Sequence, residues 1–317
     1  MSTDPTSEEP METDLLAALE AVEEPDPDAR FSAAWDLLAR APDRDAFEVA
    51  LDLALERGLV SMEFGALIRG RWESDEPAPS WINPIDGSEM IWIAPGSFSV
   101  GEERRRAESP GFFLARHPVT NVQYQRFLDA TGYVPTDVNP EEPGEAKADH
   151  PVTWVSFLDA LHYCRWAGLA LPTEWLWEKA ARGSDGRTFP WGESPPYSFD
   201  RRAGYSLAQV RAEDTCPVGR FSPTRTPYGC EDLIGNVSEW CWIQEPAEAG
   251  RLTPEVLASD VVAVSPSTLM AVRGSAYMRR SPSRMTAWHR RQLSASRRNH
   301  WVGFRPAFYP LAFTDPD

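Results

Sequence analysis

The sequence predicts an α+β fold that follows a small helical bundle, and three observations support this division. Residues 1–80 of the 317-residue chain hold 20 acidic residues, six arginines and only two of the 13 tryptophans. Residues 81–317 are instead rich in glycine, proline and tryptophan, and few of their segments show helical periodicity. Hydrophobic residues make up 42% of the chain, which is enough for a packed core. Two or three helices packed on a loop-rich sheet are typical of the α+β class.

The acidic N-terminal part has apolar residues at helical spacing, in sets that proline and glycine separate. These sets predict an adaptor-like bundle of three or four helices over residues 13–72, which would bind a protein partner. The polar residues 1–12 before it predict a disordered tail. The stretch ESDEPAPS (73–80) has the composition of a linker.

The second part contains one strand–turn–strand pattern and three capped helices. MIWIAPGSFSVG (90–101) alternates as two short strands joined by a proline–glycine turn. Each helix follows a hydroxyl residue that can cap its start and stops at a glycine. The predicted start and end residues are Thr120 and Gly132, Ser156 and Gly168, and Thr173 and Gly183. Beyond the third helix, as far as residue 310, the sequence predicts loops and short strands.

Composition excludes several functional classes. A formal charge of −17 argues against nucleic acid as the main partner. No apolar run approaches the roughly 20 residues that span a bilayer, and the N-terminus lacks the basic and apolar regions of a secretory signal. These two absences predict a cytoplasmic protein without a membrane partner. The four cysteines lack CxxC spacing, and in such a protein they are expected to be reduced, buried thiols. They are Cys164, Cys216, Cys230 and Cys241.

An ordered series of motifs carries a family resemblance. The motifs are LPTEWLWEKAARGSDGRTFPWGE (171–193), PYGCEDLIGNVSEW (227–240), RGS (273–275) and VGFRPAF (302–308). Together they resemble the formylglycine-generating enzyme family, also called the sulfatase-modifying factor family. The resemblance spans about residues 81–310, and we assign the domain to 81–313. It implies an elaborated C-type-lectin-like fold with little regular secondary structure.

The resemblance also implies that formylglycine-generating activity is lost. In the enzymes that oxidise a sulfatase cysteine, two cysteines between the RGS-like motif and the terminal GFR bind copper. Residues 273–305 contain no cysteine, and the expected positions fall near Pro282 and Ala287. Neither residue supplies the soft thiolate or thioether that copper(I) needs, so we expect no copper and assign no catalytic residue.

A second branch of the family, which makes sulfoxides with non-haem iron, supplies the alternative function. Its iron-binding histidines lie in an additional helical domain. Here no histidine lies in the N-terminal helices, and neither HxxxH nor HxE spacing occurs. The alternative is therefore a non-haem metal-dependent oxidoreductase whose ligands come from distant positions. Its candidate histidines are His117, His150, His162, His289 and His300.

A third branch binds ligands and includes the variable proteins of diversity-generating retroelements, in which the segment from RGS to GFR forms an exposed recognition surface. Here residues 273–305 hold nine arginines, two tryptophans and no acidic residue. We therefore predict that residues 277–302, the arginine-rich segment, bind an acidic or anionic protein or ligand. The candidate residues are Arg279, Arg280, Arg284, Trp288, Arg290, Arg291, Arg297 and Trp301. The structural alternative is that these arginines pair with acidic residues elsewhere in the chain.

Other motif residues have mainly structural interpretations. Arg273 and Arg305 belong to framework motifs, and we expect them to pair with buried carboxylates. Glu174 and Glu178, four residues apart on one helix, are expected to pair with Lys179, Arg182 or Arg305. Six tryptophans are predicted to lie in the core: Trp154, Trp166, Trp175, Trp177, Trp191 and Trp240.

GNVSEW (235–240) indicates a structural calcium site. In many family members the asparagine and glutamate of this motif hold the ion, and Asn236 and Glu239 match them. Oxygen ligands on a tight glycine turn suit a hard cation. The alternative without metal is that Asn236 caps the turn and Glu239 pairs with an arginine.

Overall fold

The computed structural model describes residues 52, 80–109, 111–135, 147–194, 196, 208–221, 225–243 and 264–309. The predicted tail, bundle and linker lie outside these residues, except that Asp52 has helical backbone and Ser80 begins a strand. Residues Ser80–Tyr309 form one compact unit. Mixed strands and few helices in this unit confirm the α+β class.

Within the described residues, ten short strands form three sheets, two of them antiparallel and one mixed. The first sheet has the order β1-β2-β5-β10 and the second pairs β3 with β4, all antiparallel. The third has the order β8-β7-β6-β9, in which β6 and β9 are parallel. The strands are β1 Ser80–Ile82, β2 Glu89–Ile93, β3 Gly96–Val100, β4 Arg105–Ser109, β5 Phe112–Ala115, β6 Ser238–Cys241, β7 Leu269–Arg273, β8 Arg290–Ser294, β9 Val302–Gly303 and β10 Ala307–Phe308.

The three predicted helices are confirmed: α1 Asn121–Thr131, α2 Phe157–Trp166 and α3 Glu174–Arg182. Thr120 and Ser156 each form a reciprocal capping box, with the side chains of Gln123 and Asp159. Gly132 ends α1 in the left-handed conformation that glycine adopts without strain. The cap residues therefore fix where these helices begin and end.

Aromatic rings fill the space between α1, α2 and the strands. Tyr163 stacks on Tyr124 at 6.1 Å and meets Phe304 edge-on at 5.2 Å. Trp177 and Trp240 are fully buried, as predicted. Trp166 and Trp191 are only half-buried, and the core prediction for Trp154 is wrong, because 40% of this residue is exposed.

Helix α3 is buried along its whole length, including its charged residues. Glu178 pairs with Arg182 at 2.9 Å, as predicted, and with Arg273 at 2.5 Å. Lys179 does not join these carboxylates, because its ammonium donates to the carbonyl of Ala94 and, at 2.6 Å, to the hydroxyl of Ser109. Buried charges of this kind persist only where partners satisfy them. The helix is therefore fixed to its surroundings by polar contacts as well as by packing.

Candidate functional site

The arginine-rich segment forms the connection from β7 to β8, strand β8 and the loop that leads to β9. Buried residues hold it in place: Met285 and Ala287 are fully buried, and the Ala287 amide donates to the Thr188 carbonyl at 2.9 Å. A 3₁₀ turn, Pro282–Arg284, lies just before them. All eight candidate residues of this segment are exposed or half-buried. The segment therefore presents its charged side chains on a fixed backbone.

Five residues of this segment form what we call the Trp301 cluster: Arg279, Arg284, His289, Arg291 and Trp301. The guanidinium carbons of Arg279 and Arg291 lie 5.4 and 5.7 Å from the centre of the Trp301 ring. Within the described residues, none of the three arginines forms an ion pair with a carboxylate. In the part of the chain that the structure describes, these three cations thus have no carboxylate that compensates their charge.

Burial and repulsion between the arginines lower the pKa values of the basic groups in the cluster. Partial burial, and then the charges of Arg291 and Arg284, lower the pKa of Arg279. Burial and the charge of Arg284 act in the same direction on the pKa of Arg291. Burial, and then the charges of the surrounding arginines, lower the pKa of His289 to about 4. The imidazole is therefore neutral at pH 7, and its buried Nε2 atom has no hydrogen-bond partner among the described residues.

Two other candidates of the segment are tied to the framework. Two guanidinium nitrogens of Arg290, Nε and Nη2, contact the buried carboxylate of Glu174, each at 2.8 Å. The ring of Trp288 lies 4.9 Å from the guanidinium carbon of Arg182. A bidentate pair with a buried carboxylate is difficult to open. The structure therefore brings together four of the eight candidates, while Arg290 and Trp288 lie against α3.

A second group of aromatic residues adjoins the segment. The ring of Trp154 lies 5.9 Å from that of His300, and the Tyr277 hydroxyl contacts Nδ1 of His300 at 3.2 Å. Trp154 has a φ of 59°, a left-handed value that is unusual for a large side chain. Its amide donates to the Asn299 carbonyl and its carbonyl accepts from Arg298, both at 3.0 Å. The sequence carries no local signal for this exposed position, because the residues that fix it lie almost 150 positions away.

Arg273 and Arg305 are framework residues, as predicted. Arg305 is fully buried and makes a bidentate pair with Glu239, in which both distances are 2.8 Å. It also donates to the carbonyls of Ala115, Arg116 and Glu231. The carboxylate that pairs with Arg305 is thus Glu239, and not Glu174 or Glu178 as the sequence had suggested. Arg305, near the end of the domain, is thereby connected to β5 and β6.

The two residues of the predicted calcium site already have protein partners. The amide of Asn236 exchanges two hydrogen bonds, each of 3.1 Å, with the backbone of Cys216. The carboxylate of Glu239 accepts from Arg305 and, at 2.6 Å, from the Trp177 indole. A cation is a poor fit beside a guanidinium group that occupies both carboxylate oxygens. Calcium at this turn stays a prediction, and it requires these bonds to be replaced.

The remaining groups with metal-binding chemistry are dispersed. All four cysteines are free and buried, and burial raises the pKa values of the Cys216 and Cys230 thiols to about 12. Nε2 of His117 contacts Glu231 at 3.2 Å, and Nδ1 of His150 contacts the Thr215 hydroxyl at 2.8 Å. The described part of the chain contains no group of three metal-binding side chains. None of its helices is long and apolar enough to cross a membrane.

Comparison with known proteins places this geometry in a family. A relative, the formylglycine-generating enzyme of Mycobacterium tuberculosis, is 28% identical over 60% of this chain and 87% of its own length. The hercynine oxygenase of Mycolicibacterium smegmatis is 32% identical over 41% of this chain and 37% of its own length. A serine/threonine-protein kinase, pkn1 of Chlamydia pneumoniae, is 37% identical over 53% of this chain, which spans 29% of the kinase.

Solved structures show the same fold at lower identity. PvdO from Pseudomonas aeruginosa aligns with a TM-score of 0.57 and 23% identity over 74% of this chain and all of its own. Treponema denticola variable protein 1 aligns with a TM-score of 0.53 and 18% identity over 73% of this chain and 99% of its own. The family model of the sulfatase-modifying factor enzyme 1-like domain matches residues 78–308. The chain therefore belongs to the sulfatase-modifying factor (formylglycine-generating enzyme) family.

Proposed function

We propose that this chain is a divergent member of the family that works as a binding module for an acidic or anionic partner. The observation that carries this proposal is the Trp301 cluster, in which Arg279 and Arg291 lie over an indole ring and the charge of Arg284 acts on both. None of the three arginines has a carboxylate partner among the described residues. Uncompensated, partly buried charges of one sign lower stability, and an anionic partner would offset that cost. The surface thus has a physical reason to bind an anion.

The surface has the composition of a binding hot spot. Arginine and tryptophan are enriched at the centres of protein interfaces, where they supply contact area and charge-assisted hydrogen bonds together. Trp301 and Arg279 are half-buried, so their orientation is set before a partner arrives. Trp154 and His300 extend the same surface with exposed aromatic area. The fold shared with a variable protein is consistent with this use of the segment.

The proposal includes the absence of copper-dependent cysteine oxidation. The stretch between the RGS and GFR motifs contains no cysteine, and Ala287 packs fully buried in it. The thiols that do occur are buried, with raised pKa values that disfavour the thiolate. Given a sulfatase peptide, oxygen and copper, the protein should form no formylglycine by mass spectrometry. Turnover that stops when metal is removed and returns with copper would contradict this.

Binding is tested with an array of acidic peptides and matched peptides in which every Glu is replaced by Gln. At about 0.15 M salt the chain should retain the acidic set only, and R291Q should weaken that retention at least about tenfold. R297Q, an exposed change in the same segment outside the cluster, is the control and should alter mainly the salt dependence. Equal retention of both peptide sets would overturn the proposal.

The hercynine oxygenase relative favours one alternative, a non-haem metal-dependent oxidoreductase. Metal analysis of the purified chain separates the two functions. Stoichiometric iron that is lost on replacement of a histidine would support the enzyme, whereas a binding module requires none. His117 is the first residue to replace, because it lies beside the carboxylate of Glu231.

A further inference from the structure

We infer that the Trp301 cluster is a site for a tetrahedral dianion, the phosphoryl group of a phosphate monoester. This inference rests on the proposed binding of anions at the same surface, and it names their chemistry. Three guanidinium groups, from Arg279, Arg284 and Arg291, supply the charge, and Trp301 supplies the platform for two of them. The ligand could be a free phosphorylated molecule or a phosphorylated side chain, since both present the same group.

The number of cations favours a phosphoryl group over a carboxylate. A carboxylate carries one charge and two oxygens, which a single arginine can pair in a bidentate manner. The Arg290–Glu174 pair beside the cluster shows that arrangement. A phosphate monoester carries about −1.5 to −2 charges and three strong acceptor oxygens. Three arginines that pair with no carboxylate in the described ranges match that group in charge and in donors.

The cluster is held in place before any ligand binds. The amide of Arg279 donates to the Ala276 carbonyl, and its own carbonyl accepts from the Arg211 amide, both at 3.0 Å. Arg291 lies in β8, opposite Val272 of β7. The carbonyl of Trp301 accepts from the Ser238 amide at 2.9 Å. Fixed backbones and guanidinium groups stacked on one ring reduce the entropy that binding has to overcome.

His289 offers an internal reporter for the site. Its buried Nε2 atom has no hydrogen-bond partner within the residues that the structure describes, and the charges that act on it there belong to Arg291, Arg279, Arg273 and Arg284. Because these cations disfavour the imidazolium, an anion that neutralises them should raise the pKa of His289 from about 4 towards its ordinary value. An anion bound elsewhere on the chain would leave this pKa unchanged.

The test uses the full chain at constant ionic strength, with inorganic phosphate and acetate as the first pair of probes. Phosphate should bind at least about tenfold more tightly than acetate and should shift the His289 ring signals in NMR titrations. A phosphoserine peptide of neutral sequence and its unphosphorylated form are the second pair, and they separate a protein source from a free one. Binding of phosphate alone would assign a small-molecule ligand, and stronger binding of the phosphopeptide would assign a protein.

Variants decide whether the cluster itself binds the probe. R279Q, R284Q and R291Q should each weaken phosphate binding at least about tenfold. R225Q, which changes an exposed arginine outside the arginine-rich segment, is the control and should match the unchanged protein. The melting temperature of the three variants should stay level or rise, because each variant removes one of three positive charges that repel one another. A loss of binding then cannot be explained by unfolding. If R225Q weakens phosphate binding as much as the other three variants, or if acetate binds as tightly as phosphate, the inference is wrong. If acidic peptides still bind in that case, the proposed function remains supported. If neither phosphate nor acidic peptides bind, the proposed function is wrong as well.

Discussion

At the scale of single residues, the titration of His289 should control part of the pH dependence of stability. Its pKa in the folded chain is about 4, below the ordinary value of 6.5. Between these values the unfolded chain binds the extra proton, so the free energy of unfolding falls as the pH drops from about 6.5 to 4. H289Q should remove that part of the decline in melting temperature, and H300Q is the control. A pH profile that H289Q leaves unchanged would contradict this assignment.

Trp154 carries backbone strain that a substitution can release. At a φ of 59° a side chain costs energy that glycine avoids. W154G should therefore be more stable than W154A by about 1 kcal/mol, the reverse of the usual order in a helix or strand. Thermal unfolding of both variants measures the difference. Should W154A be the more stable variant, the conformation at this position is not strained. Both variants should retain acidic peptides less well, because both remove an exposed aromatic ring.

Several residue-level predictions came directly from local chemistry. A hydroxyl residue three positions before an amide it can cap is visible in the sequence, which is why Thr120, Ser156 and Thr173 were identified. The exposure of Trp154 was not visible, since Asn299 and Arg298 fix its backbone from far along the chain. The same holds for His289, whose surroundings come from four separate arginines. Charge counting found the segment, but only the fold shows which arginines converge.

At the scale of elements, the Glu239–Arg305 pair connects β6 to the end of the domain and to α3. Arg305 is fully buried and bonds both carboxylate oxygens of Glu239, which also accepts from Trp177. E239Q would leave a buried guanidinium without its counter-charge, so the free energy of unfolding should fall by about 3–5 kcal/mol. E108Q, which opens the exposed pair with Arg106, should change it by about 0–1 kcal/mol. Denaturant unfolding compares the two, and equal losses would mean that the buried pair has no special role.

Elements differ in how far the sequence could predict them. The helices follow from periodicity and caps within a dozen residues, so all three were found. The strand–turn–strand pattern at 90–101 was also found, yet its two strands do not pair: β2 joins β1 and β5, whereas β3 joins β4. Strand β10 pairs with β5 from almost 200 residues away. Strand pairing is decided by such distant contacts, and no local pattern records them.

At the scale of the whole molecule, charge is divided unevenly along the chain. Residues 1–80 carry 20 acidic residues and six arginines, so the remaining residues have 28 acidic and 25 basic ones out of totals of 48 and 31. The net charge of about −3 on residues 81–317, against −17 for the chain, leaves the arginine-rich segment on a nearly neutral unit. Removal of the acidic part should therefore strengthen the attraction of the second unit for polyanions.

Limited proteolysis tests this directly. The polar, proline-containing stretch between Glu73 and Ser80 should be cut first. Ser80 belongs to β1, where it pairs with Ile91 of β2, so cutting should stop near this residue. The product that begins near Ser80 should elute from a heparin column at higher salt than the intact chain, because it loses 14 net negative charges but keeps every cluster arginine. An R279Q/R291Q version of the product, as control, should lose most of that gain. If the product and the intact chain elute together, the acidic part does not oppose anion binding. If the double variant elutes with the product, the attraction comes from net charge alone and not from the Trp301 cluster.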